Sequence, residues 1–307
     1  MKTIVKSTLT TLALLLALPA CAKDAPKPAP TPSPARAAND ADPALWVVKD
    51  ADTTIYLFGT IHVLKPGLTW FDEAVKTAFD QSGTLVLEMV QPDPAAMQKI
   101  VMASGMSPTG PTLTEQLPAD KRAAYAKALA DMGAPATAFD RLRPWLAAVT
   151  LSLGPIQKLG YDPANGPETV LAAAAKAANK PVIGLETAEQ QIGFFNGLSD
   201  PAQIGFLTST LDEMPKAGET MATMVKEWAD GDPDALAREM NESLKDTPEV
   251  GKVLLTDRNA RWADWVDARM KQPGTVFVAV GAGHLAGGDS VIAQLGKHGI
   301  KAERVQY

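Results

Sequence analysis

The sequence predicts an α/β protein with a mixed central sheet formed by the N- and C-terminal parts of the chain and a largely helical middle region. Short apolar runs typical of strands lie at residues 45–59 and 275–281. Between residues 94 and 272 the apolar residues recur mostly at helical spacing. An apolar content of 46% with 21% charged residues is ordinary for a globular chain and argues against general disorder.

The first residues have the pattern of a targeting segment. Two lysines precede the apolar run LTTLALLLALPA, which is too short to span a bilayer comfortably, so residues 1–21 are interpreted as a signal peptide. The run ends at LPAC, which resembles a lipoprotein processing box, and Cys21 is the only cysteine in the chain. We therefore expect export to the periplasm and lipid anchoring at Cys21; cleavage after Ala20 or Ala22 by ordinary signal peptidase is the alternative.

A linker is predicted between this segment and the folded domain. Residues 22–42 are rich in proline and alanine and cannot bury enough apolar surface to offset their ordering entropy. The folded domain is then expected to span residues 43–307. The net charge is −6, and lysines and arginines form no long basic stripe, so nucleic acid is not an expected partner. The expected partners are a peptide or small-molecule substrate and a membrane, reached through lipidated Cys21.

The first half of the folded part begins with strand signals. LWVVKDADTTIYLFG (45–59) predicts two strands around a polar turn. Apolar spacing predicts a helix over residues 70–82, and TLVLEMV (84–90) predicts a buried strand that carries one acid, Glu88. Residues 94–160 are predicted to be helical, with breaks at proline and glycine.

The second half continues the helical pattern before it returns to strands. Residues 167–186 predict a helix and then the strand VIGLE, which ends at Glu186. Thr187 has the character of an N-cap for the next helix. The remaining predictions are a mostly helical stretch, a strand, a loop with a helix, and a closing strand, over residues 200–272, 275–281, 285–299 and 300–307.

Two of the three histidines follow the same local pattern. FGTIH ends at His62 and VGAGH ends at His284. In both, an apolar strand run leads into G-x-x-H, which places an imidazole just past the carboxyl end of a strand, where ligands bind in open α/β sheets. Glycine permits a sharp turn and the close approach of a ligand. Two such histidines from separate strands are able to converge on one ion.

Two acids also close apolar strands. An unpaired charge at Glu88 or Glu186 would be costly, so each is expected to have a partner. Two histidines with one or more carboxylates would leave open positions for water, as a catalytic metal requires. The alternative is that each histidine is an ordinary loop residue and each glutamate is a salt-bridge partner or helix cap. The coincidence of the four residues adds weight to a shared polar or metal site, and both interpretations stay open here.

A late helix carries further candidates. In LLTDRNARWADWVDARM, Arg258 and Asn259 lie about one turn from Trp262. Either this is a surface helix with a core-facing tryptophan, or Arg258 and Asn259 point into the site and hold an acid or a substrate carbonyl.

Other catalytic templates find little support. GAGHLA fits a dinucleotide-binding fingerprint, but a lone match is weak and the sequence that follows is too short for a nucleotide-binding half. The chain has neither a G-x-S-x-G elbow nor an H-E-x-x-H motif.

Six long motifs occur in order from about Leu45 to Val305. They are LFGTIHVLKPGLTWFDEAV, LVLEMV, RPWLAAV, GYDPANGPETVLAAAAKAANKPVIGLETAEQQIGFF, LLTDRNARWADWV and FVAVGAGHLAGGDSVIAQLGKHGIKAERV. Together they resemble the TraB/GumN family (TraB/PrgY/GumN), the group that includes the animal Tiki metalloproteases. The resemblance implies an α/β fold related to erythromycin-esterase-like and ChaN-like proteins.

The resemblance also implies a metal-dependent hydrolase site built on the two G-x-x-H motifs and a glutamate. The expected cofactor is a divalent ion, Mn, Co or Zn, and either glutamate would be the ligand or the general base. The chain departs from the family at GPE (166–168), where a glycine, a hydrophobic residue and an acid are common. The implied residues are His62, His284, Glu88 and Glu186 for the metal, and Glu88, Glu186, Arg258 and Asn259 for catalysis.

We therefore expect an exported metal-dependent hydrolase, and the Tiki branch implies a peptidase. Two alternatives stay open. One is a non-catalytic envelope protein that binds a metal, haem or a peptide. The other is a hydrolase of non-peptide esters.

Overall fold

The structure, a computed structural model, describes residues 39–244 and 246–307, with backbone alone for residues 241–243. The predicted signal peptide, Cys21 and most of the predicted linker lie outside the described residues. Within the described part, one six-stranded mixed sheet is covered by helices, so the predicted α/β class is confirmed.

The strand order in the sheet is β4-β3-β5-β2-β1-β6. The four strands β4, β3, β5 and β2 are parallel neighbours, whereas β1 runs antiparallel to β2 and to β6. The N- and C-terminal parts supply most of the sheet, and β4 of the middle region adds one edge. The bounds are β1 Leu45–Lys49, β2 Thr53–Thr60, β3 Thr84–Met89, β4 Val182–Glu186, β5 Gly274–Gly281 and β6 Glu303–Arg304.

The central pair β2 and β5 is buried on both faces because both strands are continuous apolar runs. Successive side chains of a strand point to opposite faces. Phe58 and Phe277 accordingly pack in one apolar cluster, with Trp70 and Trp228 among its aromatic residues. Leu57 packs on the opposite face. Such two-sided burial is typical of parallel strands.

Helices cover both faces of the sheet and also form a core of their own. Trp262 and Leu295 pack against the second face of the sheet, and Tyr125 and Leu207 belong to a separate cluster of the middle helices. The predicted helical middle region is therefore present. The helices are α1 Glu73–Gln81, α2 Pro94–Gly105, α3 Leu113–Gln116, α4 Arg122–Asp131, α5 Pro144–Lys158, α6 Pro167–Ala177, α7 Ala188–Asn196, α8 Asp200–Glu213, α9 Ala217–Ala229, α10 Pro233–Leu244, α11 Pro248–Gly251, α12 Asp257–Arg269 and α13 Val291–Lys297.

Two elements differ from their predicted form. The helix predicted from residue 254 begins as a π-helical turn, Lys252–Thr256, before α12. The predicted closing strand is reduced to two residues, because only Glu303 and Arg304 pair with β1.

None of the helices in residues 39–244 and 246–307 has the length and apolar character needed to cross a membrane.

Candidate functional site

Four neighbouring strands deliver one candidate residue each to the same edge of the sheet. Glu186 is the last residue of β4, and Glu88 is the last but one of β3. His284 ends the short 3-10 helix Ala282–His284 that directly follows β5, and His62 lies two residues beyond the end of β2. Because β2 and β5 pair in parallel with Thr60 opposite Gly281, their two G-x-x-H turns lie side by side.

Three candidate side chains converge on Gly281. A Cβ atom built on Gly281 would lie 3.1 Å from Glu88 Oε1, 3.5 Å from His62 Nε2 and 3.6 Å from His284 Cδ2. The backbone N–H of Gly281 donates a hydrogen bond to Glu88 Oε1 at 2.7 Å. A Cβ here would crowd Glu88, so the glycine keeps open the space between two imidazoles and a carboxylate.

Arg258 joins the two acids to His284. Its Nη2 donates to Glu88 Oε2 at 2.6 Å and to Glu186 Oε2 at 2.8 Å, and its Nε donates to Glu186 Oε1 at 3.0 Å. Its Nη1 lies 3.1 Å from His284 Nε2. Gln191 also donates to both carboxylates, at 3.3 and 3.2 Å. This set satisfies buried carboxylates that would otherwise repel one another.

The surroundings of Glu88 favour its charged form. Burial raises the pKa of Glu88, but His284, His62, Arg258 and the Gly281 N–H outweigh this and lower the pKa to about 2. Glu88 is therefore a carboxylate at neutral pH, so it accepts hydrogen bonds and has no proton to donate.

His284 is buried and held in one orientation. The Asn259 amide donates from Nδ2 to the carbonyl oxygen of Asp289 at 2.8 Å, which leaves Oδ1 to accept from His284 Nδ1 at 2.6 Å. This network assigns the proton to Nδ1 and the lone pair to Nε2. Burial, only partly offset by Glu88, lowers the pKa of His284 to about 3. The Trp262 ring packs against the imidazole with 4.4 Å between centroids.

His62 occupies the open side of the site. Its side chain is 67% exposed, compared with 7% for His284. Its Nδ1 lies 2.6 Å from Glu168 Oε1, which also accepts a hydrogen bond from the Thr60 hydroxyl at 2.5 Å. The surrounding protein lowers the pKa of His62, but the hydrogen bond and charge of Glu168 outweigh this and raise it to about 9. Because solvent screens so exposed a pair, it adds little to stability.

The profile of the TraB/PrgY/gumN family matches residues 44–304, nearly the whole described part of the chain. The chain belongs to the TraB/PrgY/gumN family. This confirms the resemblance drawn from the motifs. All six candidate residues and Glu168 lie within the matched range.

The chain is similar to proteins from several bacteria. YbaP of Escherichia coli (strain K12), an uncharacterized protein, is 34% identical over 161 residues, which are 51% of this chain and 58% of YbaP. YbaP of Shigella flexneri gives the same values. An uncharacterized protein of Treponema pallidum (strain Nichols) is 23% identical over 264 residues, 80% of this chain and 78% of its own. The chain thus spans little more than half the length of YbaP.

No solved structure matches the chain. The relation of this TraB/PrgY/gumN member to erythromycin-esterase-like and ChaN-like proteins therefore stays a prediction.

The structure brings all six candidate residues to one edge, but they occupy different positions there. Asn259 contacts His284 and reaches neither acid. Glu186 is bound on both its oxygens by Arg258 and is not among the three atoms nearest to a Cβ built on Gly281. Glu88 is the acid that faces the histidines, with Oε1 3.8 Å from His284 Nε2.

Three further contact residues were not among the candidates. Nothing in a single sequence indicates that Gln191 contacts the site, apart from its position in the helix that Thr187 caps. Thr60 is one of the variable positions of G-x-x-H. Glu168 is the acid of the GPE segment noted above. The sequence shows this acid but gives no indication that it pairs with His62.

Across residues 39–244 and 246–307, no three His, Cys, Asp or Glu side chains are arranged to hold a metal ion as they stand. The Arg258 guanidinium binds Glu88 and lies against His284 Nε2. The donor chemistry nevertheless suits a divalent ion. In both histidines Nδ1 is held by an oxygen acceptor, which is how metal-binding histidines are oriented. Nε2 of His62 faces Gly281, whereas Nε2 of His284 lies 3.1 Å from Arg258 Nη1, so a bound ion would take the place of that contact.

Proposed function

We propose that this chain is an exported, metal-dependent hydrolase that cleaves peptide bonds. The convergence of His62 Nε2, His284 and Glu88 Oε1 on the open face of Gly281 carries the proposal. Imidazole and carboxylate are ligands for Mn, Co and Zn. Neighbouring titratable groups with strongly shifted pKa values are also typical of functional sites. The choice of peptide bonds is supported by the resemblance to the Tiki metalloproteases.

In this proposal His62, His284 and Glu88 hold the ion. When bound, the ion would polarise the scissile carbonyl and lower the pKa of a water molecule. Asn259 keeps the Nε2 lone pair of His284 directed at the site, because its Oδ1 holds the Nδ1 proton. Trp262 limits rotation of the same ring by packing against it.

Arg258 and Glu186 form the charged support of the site. Glu186 receives three hydrogen bonds from the Arg258 guanidinium and so fixes its plane. The remaining Nη2 bond orients Glu88. Glu88 then presents Oε1 toward the histidines, where it is placed to act as ligand or to accept a proton from a nucleophile. Glu186 is the partner that holds Arg258 in this position.

The first test is metal analysis of purified wild type beside the double variant His62→Ala, His284→Ala. We expect bound Mn, Co or Zn in the wild type, none in the double variant, and hydrolysis of a peptide library by the metal-loaded wild type alone. Equal metal content in both proteins would contradict the proposed site.

A second test separates the roles of the two acids. Glu88→Gln and Glu186→Gln are nearly isosteric and neutral. A variant that loses metal has lost a ligand, whereas one that keeps metal and loses turnover has lost a base. We expect the stronger effect from Glu88→Gln, because Glu88 faces the histidines. Full turnover in both variants would leave the acids as structural partners of Arg258.

The alternative is a binding protein without turnover. One observation favours it: Arg258 pairs with both carboxylates and so balances part of their charge. Binding of Mn²⁺, haem or a peptide without cleavage of peptides or of nitrophenyl esters would establish this alternative. Ester cleavage without peptide cleavage would instead establish a hydrolase of non-peptide esters.

We also propose that the protein is anchored in the cell envelope through Cys21. The proposal is supported by the apolar run that ends at LPAC and by the single cysteine of the chain. Cys21→Ser should move the exported protein from the membrane fraction to the soluble fraction. A wild-type protein that is wholly soluble after export would contradict the anchor.

A further inference from the structure

We infer that Glu168 is a positioning residue that holds the Nδ1 proton of His62 and thereby aims Nε2 of that ring into the site. The inference adds a residue to the proposed site and rests on that proposal for the use made of Nε2. The position of the ring itself is independent of any metal.

The contacts of Glu168 converge on one oxygen. Its Oε1 accepts from His62 Nδ1 at 2.6 Å and from the Thr60 hydroxyl at 2.5 Å. Thr60 is buried and lies in the same G-x-x-H turn as His62. An ionised carboxylate can only accept hydrogen bonds, so the imidazole has to present Nδ1 as the donor. Nε2 is then the ring atom that faces Glu88 and Gly281.

The GPE segment brings Glu168 to this place. A Cβ on Gly166 would collide with the carbonyl oxygen of His62, so only glycine permits this approach of the chain. Pro167 is the first residue of α6, a position that suits its fixed φ angle and missing N–H. Glu168 follows in the first turn, where the helix dipole favours a carboxylate. The proline at this departure from the family pattern is therefore compatible with the site.

The segment before α6 is also bound to the chain that follows His62. Leu64 and Asp162 exchange two backbone hydrogen bonds, at 3.3 and 3.0 Å. The side chain of Asn165 donates to the Leu64 carbonyl at 3.3 Å. The backbone around His62 and the backbone that carries Glu168 are thus fixed relative to each other. This matters for an imidazole that is mostly exposed and would otherwise rotate.

Each histidine of the site therefore has an oxygen acceptor supplied by a helix. Glu168 of α6 serves His62, and Asn259 of α12 serves His284. The two acceptors differ in charge, which makes Glu168 the stronger partner for the exposed ring. Such outer partners fix the tautomer and orientation of metal-binding histidines.

The test is ring ¹⁵N NMR of the metal-free full chain at a pH at which the His62 ring is neutral. With three histidines in the chain, signals are assigned by single replacement of His62 and His298. We expect an Nδ1–H ring at His62 in wild type and in Glu168→Gln, whose amide oxygen is able to keep both contacts. In Glu168→Ala we expect the Nε2–H form to appear. A wild-type His62 spectrum in Glu168→Ala would overturn the inference.

Metal titration provides the second readout, with Mn²⁺ and Zn²⁺ as probes. We expect Glu168→Ala to weaken binding about 10- to 100-fold, and Glu168→Gln to weaken it less. The matched control is Glu189→Ala, because Glu189 is an exposed acid at the same helical position of α7. It should bind as wild type does.

The two proposals fail in distinguishable ways. A wild type that binds neither metal contradicts the proposed function, while the NMR result still decides the role of Glu168. A wild type that binds metal, with Glu168→Ala binding it equally well, contradicts the positioning role alone.

Discussion

Arg258 carries more of the charge balance than any other side chain of the described site. It is buried and contacts Glu88, Glu186 and His284. Arg258→Ala would leave two buried carboxylates without their cation, so we expect a loss of about 3–5 kcal/mol in the free energy of unfolding. Urea denaturation of the metal-free protein measures this, with exposed Arg238→Ala as the matched control.

Adding metal to Arg258→Ala provides a second measurement of the same effect. If the ion is held beside Glu88, it should restore part of the lost stability in Arg258→Ala, because it supplies the missing positive charge. A loss in Arg258→Ala no larger than in Arg238→Ala would show that the carboxylates find other partners.

The substitution Gly281→Ala tests whether the site needs the space between the candidate ligands. Its φ of −49° and ψ of 133° are open to any residue, so Gly281→Ala should leave the fold intact. The new methyl group would occupy the face between His62, Glu88 and His284. At 3.1 Å from Glu88 Oε1 it would crowd that carboxylate and fill space that an ion would need, so we expect metal affinity and turnover to fall.

The matched control for Gly281→Ala is Gly193→Ala. Gly193 lies within α7, and a Cβ there would meet no atom within 4 Å. Alanine in a helix interior should raise stability by about 0.5–1 kcal/mol without change in metal affinity. Normal metal affinity and turnover in Gly281→Ala would contradict the site proposed on this face.

Single residues were predictable from the sequence where a motif placed them at a strand end. The placement of His62, His284, Glu88 and Glu186 at one sheet edge was predicted in this way, since a strand end fixes the edge on which a side chain lies. Their roles in the site stay predictions. Glu168 could not be paired with His62, because the contact joins residues more than a hundred positions apart through a helix start. Contacts between segments so far apart in sequence are set by tertiary packing, which a single sequence does not reveal.

The strands themselves were well predicted because continuous apolar runs distinguish buried strands from helices when they are short and flanked by turns. The repeated G-x-x-H has a simple explanation at this level: β2 and β5 are parallel neighbours, so both turns meet one space. The place of β4 beside β3 was beyond prediction, since strand order depends on non-local pairing.

The π-helical turn before α12 shows another limit. The sequence LLTDRNARWADWVDARM predicts one α-helix, yet residues Lys252–Thr256 form a π-helical turn, which is wider than an α-helical turn. The carbonyl of Leu254 accepts a hydrogen bond from the Arg258 side chain at 3.1 Å. The turn precedes two consecutive buried polar residues, Arg258 and Asn259, both of which contact His284. Such turns often occur at functional sites.

Lys180 links α1 to the start of β4. Its Nζ donates to the carbonyl oxygens of Phe79, Asp80 and Ser82, at 2.5, 3.0 and 2.6 Å, and so satisfies the C-terminal end of α1. Lys180→Met keeps the apolar stem and removes three charged hydrogen bonds. We expect a loss of about 1–3 kcal/mol in the free energy of unfolding, measured by urea denaturation.

The control for Lys180→Met is Lys99→Met, an exposed lysine of α2. It should change stability by no more than about 0.5 kcal/mol. Equal effects of the two substitutions would mean that water replaces Lys180 at the end of α1.

Across the whole chain, the site is assembled from segments that are far apart in sequence. His62 and Glu88 come from the first third of the chain, Arg258 and His284 from the last. The α/β class was predictable from the arrangement of strands at both ends of a helical middle. The pairing that brings these ends together, β2 with β5, is formed only in the folded protein.

A ligand that binds this assembled site must therefore stabilise the entire fold. An ion held by His62, Glu88 and His284 would join residues carried by β2, β3 and β5, and the unfolded chain lacks this arrangement. At a free metal concentration 100 times the dissociation constant, the gain is about 2.7 kcal/mol. In a domain of this size each kcal/mol raises the melting temperature by about 2–4 °C. We expect Mn²⁺, Co²⁺ or Zn²⁺ to raise the melting temperature of the wild type, and EDTA to reverse the rise. The double variant His62→Ala, His284→Ala should melt at one temperature with or without metal. A rise of equal size in that variant would place the ion elsewhere on the protein, and a wild type that does not respond would contradict the proposed metal site.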